Sequence, residues 1–234
     1  MLAASFRVLD WAAHAAGRAE RAPRDTAVPE RPGMPMMLRR RLTPLGQAAI
    51  ATAYQAGAEA GLHYVFTSRH GEFARSLRLL ETLAAEQPLS PADFSLCVHN
   101  ALAGLLSIAT QAQAGHTAIA AGPDSLAAGL LEAAALLADN PSRPVLLVYF
   151  DDDLPPPYAT LQPEPAAGAL ALAVLLGPGE AGEGAIRFLA SPQPSAPQAA
   201  TAAPANAFLA FLAEGLPHAE ASGARMRVEW RRAA

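Results

Sequence analysis

The stretch Ser90–Asp153, SPADFSLCVHNALAGLLSIATQAQAGHTAIAAGPDSLAAGLLEAAALLADNPSRPVLLVYFDDD, sets the order of elements for the whole chain. A serine-proline loop leads into a nearly all-apolar helix over Asn100–Ala112. A short strand at Thr117–Ala121 ends in the tight turn Ala121-Gly122-Pro123-Asp124-Ser125. A second apolar helix, Ser125–Ala138, follows, and then the run VLLVYF at Val145–Phe150. Helices with so few charges between Ala101 and Leu137 must be covered on most sides. A continuous apolar run of strand length is that of a central strand. Helices alternating with buried strands predict an α/β layered fold with a mixed sheet.

Working outward, Thr43-Pro44 supplies an N-cap and a proline at the first helical position, so a helix runs from there to about Ala60. HYVFT at His63–Thr67 is a strand. Ser68-Arg69-His70-Gly71-Glu72 is a turn into a helix over Phe73–Glu86. Its leucines Leu77, Leu80 and Leu83 form a stripe opposite Arg75, Arg78 and Glu81, and that stripe is expected to face the core. Residues 1–17 are expected as a strand entering a short amphipathic helix. Pro23, Pro29, Pro32 and Pro35 break regular structure after it. Beyond the proline-rich acidic loop Asp151–Pro165, strands are expected at Gly168–Leu176 and Ala185–Ala190, joined by GPGEAGEG. A low-complexity linker, Ser191–Pro204, precedes a helix at Asn206–Glu214 and a strand at Arg225–Arg231. The whole is expected as one domain: residues 1–43 a strand or arm, 44–190 the core, 191–204 the linker, and 205–234 the closing helix and strand.

With 234 residues, 52% of them hydrophobic, the chain can bury a large core. A net charge of −4 without long single-sign runs points to neither nucleic acid nor membrane as partner. The single cysteine, Cys97, excludes an intramolecular disulfide and suits a reducing cytoplasm. Arg7, Asp10 and His14 interrupt the first apolar stretch, so it has the pattern of neither a signal peptide nor a membrane span.

Ser90-Pro91, Asn100 at the helix start and Ala103-Gly104 early in that helix, in this order of elements, resemble the N-terminal half of β-ketoacyl synthases of the thiolase-fold superfamily. The resemblance covers about residues 44–190. It places the family's catalytic cysteine at Pro123, or one residue to either side at Gly122 or Asp124, and none of these can supply the thiolate that condensation needs. It also implies a missing second half, the source of two catalytic histidines, and hence no catalytic residue and no cofactor here. RRLTPLG at Arg40–Gly46, SRHGE at Ser68–Glu72 and SLCVHNA at Ser95–Ala101 are similar to the ketosynthase-like N-terminal proteins of aryl polyene biosynthesis. These look like chain length factors, the non-catalytic partners of a full-length ketosynthase.

That subgroup implies a heterodimeric 3-oxoacyl synthase subunit that shapes the partner's acyl tunnel and stabilises the partner. Its dimer strand maps to Thr117, Ala118, Ile119, Ala120 and Ala121, with Asn100 beside it. The loop Asp93–Cys97 maps beside the tunnel, with Phe94, Leu96, Cys97, Leu105 and Ile108 facing it. Arg39, Arg40 and Arg41 form a candidate docking patch for an acidic acyl carrier protein.

Other residue patterns have two readings each. Cys97 beside His99 is either an activated thiol or a small buried hydrophobe. Arg69, His70 and Glu72 either bind a phosphate at a helix start or leave Glu72 as a dipole-favoured charge. Asp151-Asp152-Asp153 is a metal candidate at a strand end or a solvated loop. His116, in Gly115-His116-Thr117, is an oxyanion-stabilising residue or part of a strand-leading loop. Two rival functions are a stand-alone thioesterase or acyltransferase using Ser125 or Cys97, and a homodimeric carrier-protein or lipid-binding module.

Overall fold

The computed structural model describes residues 1–15, 18–22, 33–162, 168–179, 184–193 and 203–233. The expected breaks at Pro23, Pro29 and Pro32, most of the linker, part of GPGEAGEG and the end of the acidic loop lie outside the described residues. In chain order the elements are β1 (Leu2–Ala15), β2 (Arg18–Arg21), α1 (Met36–Arg39), α2 (Pro44–Ala56), β3 (His63–Thr67), α3 (Phe73–Ala84), α4 (Pro91–Ser95), α5 (Ala101–Thr110) and β4 (His116–Ile119). They continue with α6 (Ser125–Asp139), β5 (Val145–Asp151), β6 (Leu170–Pro178), β7 (Ala185–Pro192), α7 (Pro204–Ala213), β8 (His218–Ser222) and β9 (Met226–Arg232).

The strands form one mixed sheet in the order β4-β3-β5-β6-β1-β7-β9-β8, with β2 paired to β1. β4, β3 and β5 run parallel, while the remaining pairs are antiparallel. Alternation along the strands divides their side chains between two cores. Val65, Val145, Leu147, Leu172 and Val174 pack with α6 and α7. Tyr64, Phe66, Leu146, Val148 and Phe150 pack with α2 and α5 on the opposite face. The result is a three-layer α/β/α arrangement. Alanines let the layers approach: Ala12, Ala171 and Ala173 lie in the same core as Ala49, Ala53 and Ala56 of α2. Gly129 of α6 fits so closely that a Cβ there would come within 2.8 Å of Thr67 Cγ2.

Two expectations need correction. Residues 2–15 are a single strand in the middle of the sheet, with no helix. A β-bulge between Val8 and Asp10 inverts the alternation, so Phe6 and Val8 share a face with Trp11 and Ala13. That parity change disguises a long strand as a strand followed by a helix. The second correction concerns α3. Its leucine stripe faces outward, with Leu80 and Leu83 53% and 57% exposed, while Arg75 is buried. Charge pairing, described below, turns the helix over.

Smaller differences are local. Ser90 caps the short helix α4 by accepting from the Asp93 backbone N–H, where only a loop was expected. The segment after Pro35 forms the single turn α1, and β8 was not anticipated. β4 ends at Ile119 and not at Ala121.

Candidate functional site

Thr67, Ile119 and Asp151 end the three parallel strands on the same side of the sheet. In open α/β sheets this is where ligands and functional loops gather. The turn Ser68–Glu72 is held there by polar contacts. Gly71 N–H donates to Ser68 Oγ at 2.6 Å, and His70 N–H donates to Asp151 Oδ1 at 3.2 Å. Burial pushes the Asp151 carboxyl up to about 6, opposed by the His70 and Asp152 amides, Arg69 and Tyr149. The three aspartates turn to separate partners: Asp152 accepts from the Asp153 amide, and Asp153 accepts from Gln162 Nε2 and the Gly168 amide. Among the described residues, no group of three or more His, Cys, Asp or Glu side chains is placed to hold a metal ion.

Glu72 belongs to a buried ion network. Its carboxylate receives Arg75 Nη2 at 3.2 Å and the Thr43 hydroxyl at 2.5 Å. Arg75 also donates to Asp93 Oδ1 at 2.5 Å and to the Arg41 carbonyl at 2.7 Å. One guanidinium therefore ties the segment before α2 to α3 and α4, using the fork of donors that only arginine has. This accounts for the orientation of α3. The exposed Arg39, Arg40 and Arg41 side chains lie just before it, beside exposed Met36 and Met37.

The turn holding Pro123 is a single 3₁₀ turn, Gly122–Asp124, at the start of α6, with Gly122 at φ +59°. Ser125 is 1% exposed; its hydroxyl donates to the Gly122 carbonyl and accepts from the Ala121 amide. Both capacities close the turn, and Thr67 Oγ1 binds the Ser125 carbonyl at 2.6 Å. Asp124 is buried and reaches across the sequence to the β8–β9 turn. It accepts from the Arg225 and Met226 amides at 2.9 and 3.2 Å. No sequence signal pointed to that link.

Among the described residues, β4 is an edge strand. The Gly115 and Ile119 carbonyls accept from β3-side amides, Tyr64 and Ser68. By strand alternation, the backbone groups of His116 and Ala118 therefore point to the open edge. Exposed Phe94, Val98 and Ile108 belong to α4, the following loop and α5. Asn100 begins α5 without a side-chain cap and is exposed. Of the other expected tunnel residues, Cys97 is half-buried and donates to the Phe94 carbonyl at 3.0 Å. Leu96 and Leu105 lie within this chain's own second core, behind Phe94 and Ile108. Cys97 and His99 do not act as a pair: His99 Nε2 bonds the Ile119 carbonyl at 3.0 Å. Cys97 lies in the loop after the short helix α4. His116 is exposed, with Nδ1 3.5 Å from Ser107 Oγ.

The family model for the β-ketoacyl synthase N-terminal domain matches residues 9–231, and the chain belongs to that family. A solved complex of a ketosynthase (ApeO) with its chain length factor (ApeC) from Xenorhabdus doucetiae contains a chain 27% identical to this one. The TM-score is 0.77, over 97% of this chain and 99% of that one. The ishigamide ketosynthase/chain length factor matches at 14% identity and a TM-score of 0.57, over 81% of this chain and 67% of that one. A β-ketoacyl synthase from Burkholderia phymatum matches at 12% and 0.59, over 91% and 70%. These two show the fold alone. A comparison with curated protein sequences gives no significant match. No helix among the described residues is long and apolar enough to cross a membrane.

Proposed function

We propose that this chain is a non-catalytic, chain-length-factor-like subunit. It pairs with a full ketosynthase to form a heterodimeric 3-oxoacyl synthase in polyene or fatty-acid-type synthesis in the cytoplasm. The observation that carries the reading is the open edge of β4 with Phe94, Val98 and Ile108 exposed on the neighbouring elements. An unpaired strand edge and large apolar side chains call for a cover. A partner strand along Thr117–Ala121 would satisfy the His116 and Ala118 backbone groups. Phe94, Cys97 and Ile108 then face the partner's acyl path, with Leu96 and Leu105 fixing them from beneath and Asn100 at the rim. The likeness to a chain from a ketosynthase–chain length factor complex supports the same assembly.

Proline at 123 and the closed hydrogen bonding of Ser125 support a subunit without its own nucleophile. Arg39, Arg40 and Arg41, beside Met36 and Met37, offer charge and apolar contact to an acidic carrier protein. The test is co-purification with the pathway's ketosynthase, using wild type and Ala118→Pro. Proline removes the outward N–H without touching the bonds to β3. The reading expects the wild type to co-purify and the variant not to; failure of the wild type to bind any ketosynthase overturns it.

A further inference from the structure

His99 joins two parts of the partner-facing surface that are far apart in sequence. Its Nε2 bonds the Ile119 carbonyl at 3.0 Å, and the same oxygen receives the Ser68 amide at 3.1 Å. A carbonyl only accepts, so Nε2 carries the hydrogen and Nδ1 is the ring's other face. That face packs on Gly71: a Cβ there would come within 3.0 Å of His99 Nδ1, and Gly71 holds φ +61°. Gly71 is itself fixed by Ser68 Oγ. The imidazole is therefore wedged between the Ser68–Glu72 turn and the end of edge strand β4. It is carried by the loop between α4 and α5, next to exposed Val98.

We propose that His99 is a positioning residue that couples the loop Leu96–Asn100 to edge strand β4, so that pairing at the edge and the shape of the adjoining acyl path are set together. The proposal rests on the subunit reading for the acyl path, whereas the coupling itself belongs to this chain alone. Glutamine can keep a side-chain N–H at comparable reach and alanine cannot. The two variants thus separate the hydrogen bond from the mere presence of a side chain.

The experiment has two readouts. Amide hydrogen exchange on the isolated chain, for wild type, H99A and H99Q, reports the coupling. The expected result is at least tenfold faster exchange of the Cys97, Ala101 and Ser68 amides, which donate to Phe94, Val98 and Ile119, in H99A, with H99Q close to wild type. The second readout is the product-length distribution of each variant paired with the ketosynthase. H99A is expected to assemble and to broaden the distribution, and H99Q to restore it. Unchanged exchange in H99A overturns the coupling whatever the partner does. Faster exchange with an unchanged distribution in an assembled pair overturns the control of the acyl path. Faster exchange in a chain whose wild type binds no ketosynthase leaves the coupling standing and removes the subunit reading.

Discussion

The Asp124 carboxylate accepts the Met226 backbone N–H at 3.2 Å across 102 residues of sequence, with the Arg225 amide on its other oxygen at 2.9 Å. The first turn before α6 is thereby latched to the closing hairpin. Gly223 sits in the same turn, where a Cβ would come within 1.9 Å of Asp124 Oδ1. Asp124→Ala takes a charged acceptor away from the Arg225 and Met226 amides, which lie on a partly exposed turn, and a hydrogen bond to a charged group contributes about 1.5–3 kcal/mol. Urea unfolding is expected to show a loss of about 3 kcal/mol, and Gly223→Ala a loss in the same direction. Wild-type midpoints in both variants would refute the latch.

Arg75 leads to a second stability prediction. It is 3% exposed and serves Glu72, Asp93 and the Arg41 carbonyl together. Replacing it with methionine keeps the bulk and leaves the Glu72 carboxylate buried with only the Thr43 hydroxyl. Breaking one side of a buried pair costs about 3–5 kcal/mol. Denaturation should register that loss, and removing Glu72 as well (Glu72→Gln with Arg75→Met) should recover part of it.

Asp151 predicts a pH signature. Its folded carboxyl titrates at about 6, above the usual 3.8, because burial disfavours the charge. The native state therefore holds a proton that the unfolded chain has released, and unfolding releases it between those values. The contribution of this group to stability is greatest below about pH 4 and is lost as pH rises to about 6, then flat. Asp151→Asn removes the titration. The wild-type minus variant stability should fall across pH 4–6; a flat difference would remove Asp151 as the cause.

The exposed apolar residues divide stability from assembly. Phe94→Asp and Ile108→Asp alter side chains that are 64% and 67% exposed, so melting temperatures should stay within about 2 °C of wild type, as surface changes usually do. Binding to a ketosynthase should weaken at least tenfold, measured by titration. Leu96→Ala and Leu105→Ala should do the reverse in the first assay, losing about 2–5 kcal/mol as core truncations do.

Much of this was legible in the sequence where one pattern dominated. The Thr43-Pro44 start of α2 is there as expected, with Thr43 accepting from the Gly46 amide. The apolar runs of α5, α6, β5 and β6 also lie where the sequence places them. β1 was misread because the bulge near Leu9 breaks its period. The face of α3 was misread because periodicity ranks leucine as inward and says nothing of an arginine given three partners by distant segments. The links made by Asp124 and His99 had no sequence signal for a related reason: their partners are backbone groups at Arg225, Met226 and Ile119, which carry no side-chain signature. Ser90-Pro91 did carry a helix-start signature, and α4 begins there.

The most direct measurement is the native mass and condensing activity of this chain co-expressed with the full-length ketosynthase of its pathway. The account predicts a one-to-one heterodimer that condenses malonyl units on a carrier protein, with neither subunit active alone. A chain that remains a monomer or homodimer beside that ketosynthase, or that condenses by itself, would contradict it.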